Sequence, residues 1–285
     1  MSYNFTKLFG MIKNGSIIDY LQYKIRRQRI LSFENPIEYQ EKLLVQILQY
    51  ACQHCDYYKR LDISIFSAED IVKFPFLTKQ IVRNEFDNLI SDEKNRLLYF
   101  EARTGGSTGE PLKFLNVPGV DDIFQKKVWE YYKYEDGDII LALDGATIDE
   151  SIINSGKYLY KKSESQIPYG GYGLSSMYLT DENIHIYVRE LLNLQPSFIR
   201  GYPSFVYRIA QYMKENDIQI SFSMKGIELT SETCMDYQRD LISSVFKCQV
   251  FMQYGHTECC AFGFKFDDSM RYRIEPLYGF LEVIK

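Results

Sequence analysis

The residues best suited to chemistry in this sequence form a short stretch rich in glycine and hydroxyl side chains. The stretch reads Thr104-Gly105-Gly106-Ser107-Thr108-Gly109-Glu110-Pro111-Leu112-Lys113. It lies between two apolar runs, 97–100 and 112–115, and each run is typical of a short strand. Glycines let the backbone adopt positive φ and approach a ligand, and successive N–H groups in such a loop form an anion site. The stretch therefore favours either phosphate binding or a flexible hairpin turn, and it lacks the spacing of a Walker loop or a dinucleotide fingerprint.

A second stretch with chemical potential also ends a strand-like run, and further motifs lie between the two stretches. These motifs read Phe251-Met252-Gln253-Tyr254-Gly255-His256-Thr257-Glu258, Arg200-Gly201-Tyr202-Pro203-Ser204 and Leu229-Thr230-Ser231-Glu232. In order and spacing, the set resembles the adenylate-forming enzymes, which carry a Ser/Thr/Gly-rich phosphate loop and a downstream Tyr-Gly-x-Thr/Ser-Glu. It is most similar to the phenylacetate-CoA ligase branch, and within it to the CapK-type members linked to capsular polysaccharide biosynthesis.

The resemblance implies an activity and its cofactors. A carboxylate would be activated by ATP as an acyl-adenylate, and the acyl group would then pass to a thiol, an amine or a hydroxyl. ATP and Mg²⁺ are the implied cofactors, and coenzyme A is a candidate acceptor. This chemistry needs fixed dipoles and cations that hold two anions in line, and it needs no nucleophilic side chain. Two alternatives stay open: nucleotidyl transfer, as in the related coenzyme F390 synthetases, and a non-catalytic nucleotide-binding remnant.

The resemblance also assigns roles to residues. Ser107, Thr108 and Gly109 would cradle the β- and γ-phosphates, Thr257 would contact the α-phosphate, and Glu258 would hold Mg²⁺. The whole nucleotide-binding set is Thr104, Gly105, Gly106, Ser107, Thr108, Gly109, Ser231, Glu232, Tyr254, Gly255 and Thr257. In that set Tyr254 would pack on the adenine, with Ser231 and Glu232 along the same pocket.

The remaining site residues keep two interpretations each. His256 and Thr257 are the catalytic candidates, and His256 either reaches the substrate carboxylate or fills space. Tyr202 and Tyr172 either shape an acyl pocket or simply pack, since the chain has 24 tyrosines. Glu258 is either a metal ligand or a surface carboxylate at a strand end.

The sequence departs from the family pattern at three places. Gly105 stands where the family usually has Ser, and Lys113 lies one place beyond the lysine of many phosphate loops. Residues 280–285 read as a strand, whereas the family continues with a ribose-binding aspartate, a hinge and a small C-terminal domain bearing a catalytic lysine. We therefore expect one N-terminal adenylation-type domain over 1–285 without its C-terminal lid domain, with low activity unless a separate C-terminal lobe is supplied, and with association into a homo-oligomer as a further option.

Composition and charge narrow the class of protein. The chain has 285 residues, 46% of them hydrophobic and 25% charged, and its net charge of −5 gives no global field that favours nucleic acid. The basic patch 24–29 is interpreted as a solvated helix face, with a membrane surface or a phosphate-rich partner as the alternative. No apolar run of transmembrane length and no secretory signal is recognisable, so we expect a cytoplasmic protein with small-molecule partners.

The cysteines are interpreted as structural thiols. A chain of this length needs no disulfide framework, so we expect all 6 cysteines to be reduced. Cys52-Gln53-His54-Cys55 continues a helical apolar pattern and has no second ligand pair at zinc-site spacing, which favours core thiols over a metal site.

Periodicity predicts an α/β fold, with a helical part over about 1–95 and a mixed or largely parallel sheet flanked by helices over about 96–285. Asn35-Pro36 predicts a helix start, and further caps are predicted at Ser67, Thr78, Thr180, Ser204 and Ser231. Residues 144–180 are predicted to be irregular. Because ligands bind at the carboxyl ends of strands in such sheets, the glycine loop, 230–232 and 254–258 are expected to line one crevice.

Overall fold

The structure is a computed structural model that describes residues 25, 28, 32, 35–96, 99–104, 111–117, 120–135, 137–162, 171–265 and 271–283. The glycine loop from Gly105 to Gly109 and most of the basic patch 24–29 lie outside these residues. No helix in the described part of the chain is both long enough and apolar enough to span a membrane.

The chain divides into two compact units. Among the described residues, the first unit comprises those within 124–255 and 263–273, and the second comprises those up to residue 123 together with 256–262 and 274–283. That 1–285 forms one adenylation-type domain stays a prediction.

The second unit begins with helices, as predicted. Helix α1 covers Pro36–His54, and the Asn35 side chain accepts a hydrogen bond from the Glu38 N–H at 3.5 Å, which confirms the predicted start. The helices that follow are α2 (Asp56–Lys59), a 3₁₀ helix (Ala68–Lys73), α3 (Lys79–Asn84), α4 (Phe86–Leu89) and a 3₁₀ turn (Lys94–Arg96). The predicted cap at Thr78 is confirmed, because its hydroxyl accepts from the Ile81 N–H at 3.2 Å. Strands β1 (Phe100–Arg103) and β2 (Lys113–Asn116) then form an antiparallel hairpin.

The first unit is built on a mixed sheet. The elements from here on are α5 (Val120–Tyr131), β3 (Ile140–Asp144), α6 (Glu150–Asn154), β4 (Leu159–Lys161), β5 (Tyr172–Ser175), a 3₁₀ turn (Ser176–Tyr178), α7 (Ile184–Leu194), β6 (Phe198–Gly201), α8 (Pro203–Glu215), β7 (Gly226–Leu229), α9 (Asp236–Phe246), β8 (Val250–Gly255), β9 (Phe262–Lys265) and β10 (Arg273–Ile274). The strand order is β10-β9-β8-β7-β6-β3-β5-β4. Strands β5, β3, β6, β7 and β8 are parallel, and β4 is antiparallel to β5. This confirms the predicted α/β class with a mixed sheet.

The two faces of this sheet bury different residues. On one face, alternate strand residues such as Leu143, Ile199 and Leu229 join the apolar side chains of α7, α8 and α9 in one fully buried core. On the other face, the Trp129 ring of α5 packs edge-on against Phe198 at 4.7 Å and Phe251 at 5.9 Å between ring centroids. Helix α5 thus covers this face of the sheet with aromatic packing around Phe198 and Phe251.

Several local predictions were wrong. Residues 144–180 contain α6, β4, β5 and a 3₁₀ turn, because strands of only three and four residues give too little periodicity to be recognised. Helix α8 has Tyr202 as its N-cap and Pro203 in its first turn, so Ser204 is not a cap. Helix α9 begins at Asp236 with Met235 as N-cap, and Ser231 instead adopts a left-handed conformation with φ of 70°. Asn183 is the N-cap of α7, and the Thr180 hydroxyl accepts from its N–H at 3.3 Å.

Candidate functional site

In the first unit, several predicted site residues lie along the carboxyl edge of the parallel strands. The Tyr202 N–H donates to the Leu143 carbonyl at 3.2 Å, and the Thr230 N–H donates to the Gly201 carbonyl at 3.1 Å. These bonds align the ends of β3, β6 and β7. Since β8 pairs with β7 through Leu229 and Met252, Tyr254 lies two residues beyond that pair at the same edge. The edge therefore brings together the ends of the strands that carry the Tyr202, Thr230–Glu232 and Tyr254 motifs.

Ser231 and Glu232 lie on an exposed turn after β7. The Glu232 carboxylate accepts a hydrogen bond from the Ser204 N–H at 3.0 Å, at the N-terminus of α8. A carboxylate is favourable there because the first N–H groups of a helix lack partners. Tyr254 is 45% exposed, and its ring centroid lies 5.9 Å from that of Tyr272. The adenine-pocket roles of these residues stay predictions.

In the second unit, the hairpin that carries the glycine loop is closed at its base. Arg103 pairs with Lys113, the Thr104 N–H donates to the Leu112 carbonyl at 3.0 Å, and the Leu112 N–H donates to the Thr104 hydroxyl at 2.9 Å. The Lys113 ammonium lies 2.8 Å from a Glu101 carboxylate oxygen and 5.1 Å from the centre of the Phe86 ring. Lys113 is therefore held by its own hairpin.

A turn over residues 256–259 follows β8 and contacts this hairpin. The Cys259 N–H donates to the His256 carbonyl at 3.1 Å, which closes the turn. The side-chain amide of Asn116, the last residue of β2, donates to the Thr257 carbonyl at 3.3 Å and lies 3.2 Å from the Cys259 sulfur. The structure thus links the hairpin of the first motif directly to the end of the second motif.

His256 and Glu258 face each other on this turn. His256 Nδ1 lies 3.2 Å from Glu258 Oε2, and each side chain is 37% exposed. The described residues contain no group of three or more metal-ligating side chains. Mg²⁺ commonly keeps several waters and binds substrate phosphates alongside only one or two carboxylates, so the single Glu258 carboxylate fits such an ion. The metal role of Glu258 and the catalytic role of His256 stay predictions.

The two acyl-pocket candidates occupy different surroundings. Tyr172 lies two residues before Leu174, on the same face of β5, and its ring packs against the apolar core. Tyr202 also borders this core, but its hydroxyl lies at the carboxyl edge, 3.6 Å from the position that a methyl group on Gly145 would occupy. Tyr202 thus presents its hydroxyl at the strand ends, whereas Tyr172 is the first residue of β5.

A buried ionic group was missed by the sequence predictions. The fully buried Glu228 of β7 accepts from Arg200 Nε at 2.8 Å and from the Gln125 amide, and Arg200 also donates to Gln253 at 3.1 Å. Burial raises the pKa of Glu228, and the Arg200 guanidinium opposes that rise. The sequence could have indicated this pair, because Glu228 and Arg200 are charged residues within runs that were predicted to be strands.

A second polar group was also missed. Asp144, the last residue of β3, accepts from the Tyr160 hydroxyl at 3.0 Å, from the Lys162 ammonium at 2.8 Å and from the Ala146 N–H at 3.1 Å. The Tyr160 ring crosses directly above Gly173, where any Cβ would overlap it. Burial and the Asp144 charge raise the pKa of Tyr160, so its hydroxyl stays protonated and donates.

Comparisons with known proteins agree with this architecture. No family model matches the sequence. The chain is 26% identical to Protein CapK of Staphylococcus aureus over 247 residues, which is 84% of this chain and 51% of that protein. An open conformation of 2-hydroxyisobutyryl-CoA ligase, in complex with 2-HIB-AMP and CoA, superposes with a TM-score of 0.55 at 14% identity, covering 74% of this chain and 51% of that one.

The same ligase in a postadenylation state with 2-HIB-AMP gives a TM-score of 0.55 at 15% identity, over 74% of this chain and 46% of that one. The chain therefore spans about half the length of the proteins it matches. These comparisons confirm the resemblance inferred from the motifs: the chain has the fold of the adenylate-forming ligases and is similar to CapK.

Proposed function

We propose that this chain is the large domain of an adenylate-forming ligase. A carboxylate oxygen of the substrate attacks the α-phosphorus of ATP, a new P–O bond forms, and the bond to pyrophosphate breaks as pyrophosphate leaves with its electron pair. The acyl group of the adenylate then passes to a thiol, amine or hydroxyl acceptor. Coenzyme A is the acceptor suggested by 2-hydroxyisobutyryl-CoA ligase, which has a similar fold and whose crystal structure contains CoA.

The observation that carries this proposal is the bond from Asn116 to the turn after β8. The chemistry requires one group of donors for the outer phosphates and a second group for the α-phosphate and its counter-ion, held in fixed relation. Asn116 ends the strand that leaves the glycine loop, and it donates to the Thr257 carbonyl. A side-chain amide therefore fixes the second motif against the hairpin of the first.

Residues of the 256–259 turn have separate tasks in the proposal. The exposed Thr257 hydroxyl donates to the α-phosphate, and the Glu258 carboxylate holds Mg²⁺. The ion would neutralise charge that develops on the departing phosphates. His256, beside Glu258, orients that carboxylate. Tyr254 covers the adenine from the end of β8, with Ser231 and Glu232 nearby.

The biological setting is also a proposal. Similarity to CapK supports a role in the synthesis of capsular or other surface polysaccharide, with a small carboxylic acid as substrate. Product mass separates this reading from nucleotidyl transfer, since the acceptor gains an acyl group in one case and AMP in the other.

Calorimetry with Mg-ATP and metal-free ATP tests the metal role on this chain. Glu258→Gln is expected to weaken Mg-ATP binding by about tenfold or more while changing metal-free binding little, because it removes the charge that the proposal assigns to the ion. The matched control is Glu182→Gln, which neutralises an exposed glutamate on another part of the surface.

Replacing Ser107 and Thr108 by Ala extends the test to the glycine loop. ATP binding is expected to weaken more than AMP binding, because the loop is assigned to the outer phosphates. Equal losses for ATP and AMP, or equal losses with and without Mg²⁺ in Glu258→Gln, would contradict the assigned roles. Failure of the wild-type chain to bind any adenine nucleotide would overturn the proposed function itself.

A further inference from the structure

The place where the strand order reverses carries polar groups that the proposed reaction does not use. From β3 the chain passes through β4 to β5 on one side of β3 and then crosses to β6 on its other side. Ligands of open α/β sheets bind outside the carboxyl ends of the strands at such a reversal. We define the switch-point cluster as Asp144, Tyr160, Lys162, Ser176 and Tyr202.

Two members of this cluster form a partly accessible ion pair. The Lys162 ammonium lies 2.8 Å from Asp144, and these side chains are 23% and 28% exposed. Asp144 already accepts from Tyr160, Lys162 and the Ala146 N–H, so most of its acceptor capacity is used. Lys162 has three N–H donors, and within the described residues only Asp144 engages its ammonium.

Two hydroxyls lie near Gly145, the residue that follows Asp144. A methyl group there would come within 3.6 Å of the Tyr202 hydroxyl and 3.9 Å of the Ser176 hydroxyl. Because Gly145 has no side chain, it places no atom of its own between these hydroxyls. Within the described part of the chain, neither hydroxyl has a hydrogen-bond partner. The cluster therefore presents an ammonium and two hydroxyls as available donors, beside a carboxylate that is already satisfied.

We propose that the switch-point cluster binds the acyl part of the substrate and selects short carboxylic acids that carry a hydroxyl or carbonyl oxygen near the carboxylate. This inference rests on the proposed function. An oxygen on the acyl part accepts a hydrogen bond from Lys162 or from a hydroxyl, whereas an alkyl chain removes water from these groups and gives them no partner. A site built to hydrogen-bond a substrate oxygen rejects the analogue that lacks it far more strongly than an apolar pocket rejects an extra methylene.

Acid-dependent ATP–pyrophosphate exchange by the wild-type chain tests this selectivity. Lactate, pyruvate and 3-hydroxybutyrate are compared with propionate, butyrate and octanoate. We expect the oxygenated acids to be preferred by about tenfold or more in kcat/KM over alkanoates of equal length. A preference for the plain alkanoates overturns the inference.

Substitutions assign the selectivity to the cluster. Lys162→Met is expected to reduce the preference to near unity with little change in ATP affinity, and Lys162→Arg is expected to retain part of it. Lys157→Met is the matched control, since Lys157 is an exposed lysine near the start of β4. An unchanged preference in Lys162→Met overturns the inference.

Direct binding separates this inference from the proposed reaction. If no acid supports exchange, the failure falls on the proposed reaction, and calorimetry of lactate and propionate with the chain decides the inference. Lactate binding that is stronger than propionate binding and is lost in Lys162→Met supports the inference. Equal binding of the two acids, or lactate binding that survives in Lys162→Met, overturns it.

Discussion

The two faces of the central sheet differ in chemistry although they are built from neighbouring residues of the same strands. Ile199, Ile227 and Leu229 are fully buried in one apolar core beneath α7, α8 and α9. Arg200 and Glu228, which alternate with them, point to the opposite face and form an ion pair. Because side chains alternate along a strand, one short run can serve packing on one face and polar chemistry on the other.

The register between neighbouring strands places residues of the same face side by side across the sheet. Ala142 aligns with Arg200, and Arg200 aligns with Glu228, so residues from three strands lie side by side. Asp144 stands two residues further along β3, at the carboxyl edge. The apolar face holds the sheet together, and the carboxyl half of the other face carries the charged residues Arg200, Glu228 and Asp144. The two faces should therefore respond differently to substitution.

The largest effect is expected on the apolar face. Leu143→Ala should lower the free energy of unfolding by about 2–5 kcal/mol, because it opens a cavity around a side chain that is fully buried. Urea denaturation monitored by circular dichroism measures this loss. Asp144→Asn, on the next residue and the opposite face, is the matched control and should cost far less. Similar losses of stability from the two substitutions would contradict the view that the apolar face, and not the polar face, stabilises the sheet.

The buried ion pair should give an intermediate effect that depends on pH. Arg200→Met leaves the Glu228 charge buried without its guanidinium and should cost about 2–3 kcal/mol near neutral pH. We expect this loss of stability to be smaller than for a fully buried ion pair, because 42% of the Arg200 side chain is exposed. The double variant Arg200→Met/Glu228→Leu should recover most of the loss, because it leaves no unpaired charge.

The sign of the pH dependence follows from the raised pKa of Glu228. With Arg200 removed, the folded state binds a proton at Glu228 more readily than the unfolded state does. Stability is therefore retained at low pH and lost as pH rises through the folded-state pKa. The urea midpoint of Arg200→Met should lie further below the wild-type midpoint at about pH 8 than at about pH 5. A loss of the same size at both pH values would contradict a buried carboxylate as its cause.

The smallest effect is expected at the contact between β4 and β5. Gly173→Ala places a methyl group in the Tyr160 ring and should cost about 1–3 kcal/mol, because the ring must move away from Asp144. Adding Tyr160→Ala should relieve this overlap, so the double variant should lose less stability than the two single losses summed. Thermal unfolding of the four proteins measures this coupling, and strictly additive losses would mean that Tyr160 does not require glycine at this position.

Residues that are consecutive in the sequence determined the helix start, the fold class and the resemblance to a family. Asn35-Pro36 specifies a helix start because an Asn side chain caps the first turn and proline has no N–H to satisfy there. Alternation of apolar strands and helices specified the α/β class with a mixed sheet. The order and spacing of the glycine loop and the 254–258 motif indicated the resemblance to the adenylate-forming ligases. Each of these motifs can be recognised because its residues are consecutive in the chain.

Only the tertiary structure decided which distant side chains meet. Arg200 and Glu228 are 28 residues apart, and strand register alone brings them together. Asn116 reaches Thr257 across 141 residues. Tyr160 reaches Asp144 because Gly173, on the strand between them, leaves room for a ring. Pairings of this kind depend on register and on packing between strands, and no periodicity within a single segment records either of them.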